Sequence, residues 1–398
     1  MKSEGPPARP SALESQERKL APFDWYRQMR SETPVRYDEE RDVWDVFRYD
    51  ETNQVLEDYE TFSSERPVTT ETETEYGTFA TDLMINTDPP RHDELRDVVD
   101  DEFTPGAIKQ LGPHVREVTI ELLEDATRAD NEIDLVSALA APLPVTVIAE
   151  LLGIPTEDRA TFKRWSDTII AGTAGGSTVE ARQQETQEEM AEYFMALFER
   201  RKANPQEDLL STILDANSED HQLAPTELLG FVALLLIAGN VTTTNLITNA
   251  MVVFSEEPDR METIRSNGSL DLAIEEVLRT RSPIQAVTRV TTRDVEIGGK
   301  SIGAGDRVVA WIGSANRDES TFEDPERFVP DREPNHHLAF GSGIHYCLGA
   351  HLARLEARTA LSTLFEQYGR IEVPEGKRTP LDSGFVYGIE QLPVRLRE

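Results

Sequence analysis

Apolar residues along this chain recur mostly three and four apart, which predicts helices joined by short polar breaks. The pattern is densest from Pro225 to about Phe254. There Phe231 to Ala238 is apolar almost all round and predicts a helix buried through the middle of the fold. From Gly106 to Asn217 helix follows helix, with breaks at Asp130 to Asp134, Gly153 to Pro155, Gly172 to Gly176 and Asn204-Pro205. Two further helices are read at Leu270 to Arg281 and at Ala350 to about Tyr368, where Leu348, Leu352 and Leu355 keep helical spacing. Asp88-Pro89-Pro90 predicts another helix start, with Asp88 as the capping acid. Strand patterns are few and short: two between Val35 and Phe47 around a turn at Asp38 to Asp42, then Val287 to Val290, Val295 to Ile297 and Val308 to Ile312. Gly298-Gly299 and Gly303 to Asp306 read as turns. Met1 to Leu20 reads as a loose arm and Ser63 to Thr81 as a polar loop. No repeat and no Pro/Ser linker divides the rest, so residues 21–398 are expected to form one domain, mainly α with small β-sheets.

Charge narrows the partners. Aspartate and glutamate number 74 against 40 lysines and arginines, a formal net charge of −34. That excess opposes binding to nucleic acid or to an anionic membrane. Seven of the basic residues are lysine; an acidic, lysine-poor surface resembles that of proteins from salt-loving organisms. The N-terminus has no apolar signal core, and the longest apolar run, Leu228 to Ala238, is too short to span a bilayer. A soluble, cytoplasmic protein without a membrane anchor is the expectation.

The candidate chemistry centres on Phe340-Gly341-Ser342-Gly343-Ile344-His345-Tyr346-Cys347-Leu348-Gly349. Cys347 is the only cysteine, so no disulfide forms within the chain. It precedes a helix start, a position expected to favour thiolate over thiol. Gly349 leaves room for a flat ligand against that helix. The run F-G-x-G-x-H-x-C-x-G, followed by Ala350, Leu352, Ala353 and Glu356, resembles the haem-binding loop of cytochrome P-450 enzymes.

That resemblance implies a single, mainly helical cytochrome P-450 fold enclosing haem b, with Cys347 as the axial iron ligand. D-P-P-x-H-x-x-x-R at Asp88 to Arg96 matches the pattern whose histidine and arginine contact the haem propionates; Arg289 and His345 complete that set. Phe340, Gly341 and Gly349 belong to the cofactor loop. Ala238-Gly239-Asn240-Val241-Thr242-Thr243-Thr244 resembles the oxygen-binding groove, with Thr242 as its hydroxyl. Val241 stands where the family carries an acid; Asn240, whose amide can hold water, is the other catalytic candidate. Glu276 and Arg279 match the family's E-x-x-R, with Arg327 as the expected third member of a structural network. Ile284 to Val287, Phe385 and Val386 would face substrate, Ser63 to Thr81 would roof the pocket, and the Gly172 to Gly176 break would lie in a mobile lid. Asp97, Asp100, Asp101 and Glu102 stand where the family usually carries bases that dock an acidic ferredoxin.

The function implied is a haem-thiolate monooxygenase using O2, a ferredoxin-type electron donor and an apolar small-molecule substrate. Alternatives are a peroxide-driven or redox-neutral enzyme on the same haem, a non-enzymatic haem gas-binding protein, and a haem-free acidic helical protein. The charge excess carries its own consequence, because the Debye length shrinks to about 3 Å at 1 M salt. Folding and haem retention are therefore expected to require molar salt. Thermal melting and Soret absorbance across a salt series measure this, and undiminished stability at low ionic strength would refute it.

Overall fold

The computed structural model describes residues 9–65, 83–128, 131–159, 161–162, 164–165, 168, 177–216, 223–374 and 378–397. The Gly172 to Gly176 break, and all but the first residues of the Ser63 to Thr81 loop, lie outside these. In chain order the elements that position the site are β1 (Val35–Asp38), β2 (Val43–Val46), β3 (Phe62–Ser63), α1 (Arg91–Asp97), α2 (Gly112–Thr127), β4 (Glu132–Asp134) and α3 (Pro142–Leu151). There follow α4 (Pro225–Glu256), α5 (Leu270–Thr280), β5 (Val287–Thr291), β6 (Val295–Ile297), β7 (Lys300–Ile302), β8 (Arg307–Ala310), α6 (Ala350–Gln367), β9 (Arg370–Glu372) and β10 (Pro393–Arg397).

Helix α4 runs 32 residues, about 48 Å at 1.5 Å per residue. Its apolar girdle packs against α3, α5, α6 and a π-turn at Val136–Ala140. Leu229, Val232, Leu236, Leu246, Ile247 and Met251 are all buried there. Among the described residues α4 is the helix long and apolar enough to cross a membrane, yet most of that stretch is buried inside the protein. Helix α6 packs on α2, α4 and α5, so α4 and α6 together form the spine of the core.

The larger sheet has the order β1-β2-β8-β5-β3, antiparallel except for β2 beside β8. Strands β4, β10 and β9 form a second antiparallel sheet. Strands β6 and β7 form a hairpin closed by Gly298 and Gly299, both at positive φ. A Cβ on Gly298 would stand 2.5 Å from Val35 Cγ2, so only glycine fits that turn. The expected strand Val308 to Ile312 stops at Ala310, and Ile312–Ala315 turns into a short helix.

Three sequence expectations change. The arm is docked from residue 9 onward: Ser11–Leu13 and Gln16–Leu20 are helical, Leu13 is buried, and Arg9 and Lys19 both meet Asp382. Asp88 does not cap α1. Its carboxylate turns away to the Ser63 hydroxyl and the Ser64 amide, and α1 starts from Pro90 without a side-chain cap.

The third change concerns the buried network. Glu276 and Arg279 are both 0% exposed and pair through two 2.8 Å bonds. Arg327 gives only its carbonyl, 3.0 Å from Arg279 Nη2; its side chain is 63% exposed against Asp324. The third member is Arg332, whose Nε donates to both Glu276 oxygens at 3.1 Å. Val329 N–H and Asn335 Nδ2 donate to Glu276 as well. Removing one partner from a buried charge set leaves the others uncompensated. Arg332→Ala should therefore cost about 2–3 kcal/mol in urea unfolding, and Arg327→Ala less than about 0.5 kcal/mol. Equal losses would return the role to Arg327.

Candidate functional site

Cys347 sits on a loop fixed through its own main chain. Its N–H donates to the Phe340 carbonyl at 2.9 Å, Gly341 N–H to Leu338 at 2.8 Å, and Tyr346 N–H to Gly343 at 3.1 Å. Gly341 and Gly343 both adopt positive φ, which lets the loop double back. A Cβ on Gly343 would be 3.0 Å from main-chain atoms of Leu56 and Glu57, so the loop also lies close against that neighbouring segment. Arg96, from α1, clamps the loop: Nη1 reaches the Ile344 carbonyl at 3.1 Å and the Tyr346 carbonyl at 2.9 Å. From the other side the Arg354 guanidinium lies 4.4 Å over the Phe340 ring and is held by Glu275 at 2.7 and 2.8 Å. Burial works against the Glu275 charge, yet Arg354 and His337 hold its carboxyl down at about 2.

The thiol does not follow the sequence expectation. It is open to solvent-sized space, but that space lies within the fold, and burial pushes the thiol above its ordinary range. The Gly349 N–H, Arg96 and Arg354 pull the other way and do not prevail. Helix α6 begins only at Ala350, so its terminus offers the sulfur little beyond that one amide. A metal bound here must displace a proton, which couples its affinity to pH.

Beside the loop, His92 and His345 stand edge to face, ring centroids 4.6 Å apart. His92 is buried and the His345 side chain is 7% exposed, and the Nε2 of each has no hydrogen-bond partner. Burial, then Arg289, His92 and Arg96, push the His345 imidazole down to about 3, so it is neutral. Asp88 is the nearby acid, 4.0 Å from His345 Nε2. Two orphaned imidazole donors beside two guanidinium groups ask for a ligand carrying carboxylates. Where a Cβ on Gly349 would stand there is no atom within 4 Å, so a flat ring can lie on that side of the loop. The thiol, the donors and this flat berth suit a haem, which Cys347 could ligate and whose propionates His92, His345, Arg289 and Arg96 could hold.

On α4, Thr242 Oγ1 donates to the Ala238 carbonyl at 2.8 Å. Asn245 Nδ2 donates to the Val241 carbonyl at 2.8 Å and Thr248 Oγ1 to the Thr244 carbonyl at 3.0 Å, so three side chains bond back one turn. The two catalytic candidates are not brought together. Two residues along a helix is about 200°, and Asn240 is buried against Thr244, whose hydroxyl donates to its Oδ1 at 3.3 Å and to the Ala140 carbonyl at 3.0 Å. Two expected pocket segments do meet: Ile284 pairs with Val386, and Gln285 N–H reaches the Phe385 carbonyl at 2.7 Å. Asp97, Asp100 and Asp101 are exposed beyond Arg96. Glu356, which closes the run that resembles the haem loop, lies fully buried on α6 beside Thr243. Its signal was a carboxyl among Leu352, Leu355 and Leu361, all at core positions of one helix.

Residues 12–396 match the family model described as Cytochrome P450. The chain is 42% identical to Cytochrome P450 109 of Bacillus spizizenii, over 96% of this chain and 94% of that protein. It is 38% identical to the Erythromycin C-12 hydroxylase of Saccharopolyspora erythraea, over 94% of each. Among solved structures, CYP109E1 of Bacillus megaterium in complex with testosterone superposes with a TM-score of 0.88 at 43% identity, covering 97% of this chain and 100% of that one.

If Cys347 is the iron ligand, the reduced CO complex should show the red-shifted Soret band of thiolate ligation. Cys347→His should keep haem and lose that band; an intact band in the variant would overturn the assignment.

Proposed function

The chain belongs to the cytochrome P450 family of haem-dependent oxidoreductases, and from that premise we propose that this monooxygenase inserts one atom of O2 into an apolar small molecule with electrons from a ferredoxin system. The observation that carries the reading is the pair of orphaned imidazoles, His92 and His345, set beside the Cys347 loop. Haem, once seated there, supplies the iron chemistry that takes up O2 and opens its O–O bond. The protein's own residues do the rest. Cys347 Sγ would hold the iron, as a thiolate once its proton has left for water. His92, His345, Arg289 and Arg96 hold the propionates by charge-assisted hydrogen bonds. Phe340, Gly341 and Gly349 shape the loop under the ring. Thr242 Oγ1, released from the Ala238 carbonyl, holds the water that brings protons to the oxygen side. Asn240 acts at one remove, by holding Thr244 and the turn at Ala140 in place.

Substrate class follows from the lining. Ile284 pairs with Val386 and Gln285 N–H reaches the Phe385 carbonyl, so two apolar segments lie side by side where substrate would be bound. Steroid-like molecules suit such a wall, and testosterone occupies the structure of CYP109E1. The acidic surface and the absence of bases after Arg96 favour a cytoplasmic, salt-rich setting, in which screening lets an acidic donor approach.

The deciding measurement is product formed per NADH consumed, with a ferredoxin and its reductase, after a steroid panel has been screened for the haem spin-state shift. Thr242→Ala should lower that ratio about tenfold or more, below the range a positioned proton donor supplies, and should matter far less when peroxide replaces O2 and reductant. Peroxide-driven turnover without any NADH-driven product would favour the peroxygenase reading.

A further inference from the structure

The N-terminal arm and the turn from Ser383 to Gly388 leave an open cleft of about 350 Å³ between them. Its floor includes Tyr26 and Gln285, whose hydroxyl and Oε1 bond at 2.7 Å. Arg9, Arg18 and Lys19 line it from the arm, in a chain where acids outnumber bases by 34. One acid meets this group. Asp382, its side chain 58% exposed, pairs with both Arg9 and Lys19. Arg18 is left over: its main-chain N–H bonds Ser15 Oγ at 3.2 Å, and its guanidinium has no partner among the described residues. Glu14 and Glu17, the arm's own acids, do not line the cleft. Near the floor, Arg281 and Arg317 are answered by Glu256 and Glu326, so the surplus charge belongs to the arm. A neutral donor faces the same space. Ser383 Oγ accepts from the Phe385 and Val386 N–H groups, at 3.4 and 3.1 Å. Its own hydrogen is left without an acceptor among the described residues. Leu13, Pro22 and Val386 add apolar surface beside these groups.

We propose that this cleft is a second binding site, which takes a small organic carboxylate with a short apolar body. The Arg18 fork pairs with the two carboxylate oxygens, and the Ser383 hydroxyl donates a further bond. The apolar body lies along Leu13, Pro22 and Val386. Charge selects the class of ligand. A second cation here would add to three cations and meet one acid, whereas an anion removes the surplus. Elsewhere the net charge of −34 repels anions, so a saturable anion site on this protein has to be a local arrangement. The site does not depend on the haem chemistry, because none of its residues belongs to the Cys347 loop or to the cations beside it.

The test is calorimetric titration of the haem-loaded protein with butyrate, at fixed ionic strength. Loading with haem keeps the cations beside the cysteine loop occupied, so that they do not compete for the probe. One saturable site in the millimolar range is expected, with no movement of the Soret band. Arg18→Gln should weaken it about tenfold or more. Arg18→Lys should lose less, since the charge stays and only the fork goes. Arg18 is exposed, so neither variant endangers the fold. Acetate should bind more weakly than butyrate, for want of an apolar body. Inorganic phosphate binding as tightly as butyrate would show a bare anion site and overturn the carboxylate assignment. Absence of saturable heat, a titration that shifts the Soret band, or equal affinity in Arg18→Gln would overturn the site itself.

Discussion

Arg96 Nη1 bonds two main-chain carbonyls of the cysteine loop, and the position of the thiol depends on that clamp. A loop with two residues at positive φ has little helix or sheet bonding to hold it. Its stability comes from outside, from α1 through Arg96 and from α6 through Arg354 stacked on Phe340. Helices α1 and α6 are distant in sequence, so the loop takes up its form only when the domain has closed. The Glu276 network serves the same end one layer out. It ties α5 to the segment Asn316 to Asn335 by bonds to main-chain carbonyls and amides, and Asn316 in turn receives the Leu338 N–H at the root of the loop.

Two kinds of buried acid thus sit within one core. Glu276 and Glu275 face guanidinium groups in fork geometry, where charge is compensated at contact distance. Glu356 faces one hydroxyl and is left to burial, which favours the neutral form. The first arrangement fixes structure. The second leaves the carboxyl uncharged, held by one hydroxyl and by burial.

How much of this was legible depended on how local each signal was. The cysteine loop, the pair His92 and Arg96, and the long apolar helix are written within short windows, and the elements fall close to where their spacing puts them. Partner choice was not legible where two candidates lay near each other in sequence. Arg327 and Arg332 are five apart, and only the path of the chain after Pro325 decides which side chain turns inward. Asp88 was misassigned because a cap is judged from its neighbours, whereas here Ser63 and Ser64 compete for it from 25 and 24 residues away. The Cys347 thiol was misjudged for a related reason: helix position argues for thiolate, but burial is a property of the whole fold and outweighs it. Thr242 and Asn240 share a short motif and yet face opposite sides, which the angle between successive helical residues already implies.

The net charge and the site pull in opposite directions, and distance decides between them. Thirty-four excess negative charges repel an approaching dianion such as haem through a field that salt cuts off beyond about 8–10 Å at ordinary ionic strength. Within the site the geometry is reversed. Arg289 and Arg96 with two imidazole donors lie close about one point, with one acid 4.0 Å away. Charges at 4 Å interact by about 1 kcal/mol in water and about 4 kcal/mol near a protein surface. Contact attraction therefore outweighs the diffuse repulsion once the ligand is seated, while the repulsion acts chiefly on its approach. Salt strengthens that division: it screens the long-range field and leaves buried contacts nearly untouched. An acidic exterior and a cationic cluster beside the cysteine loop are compatible because they act at different ranges.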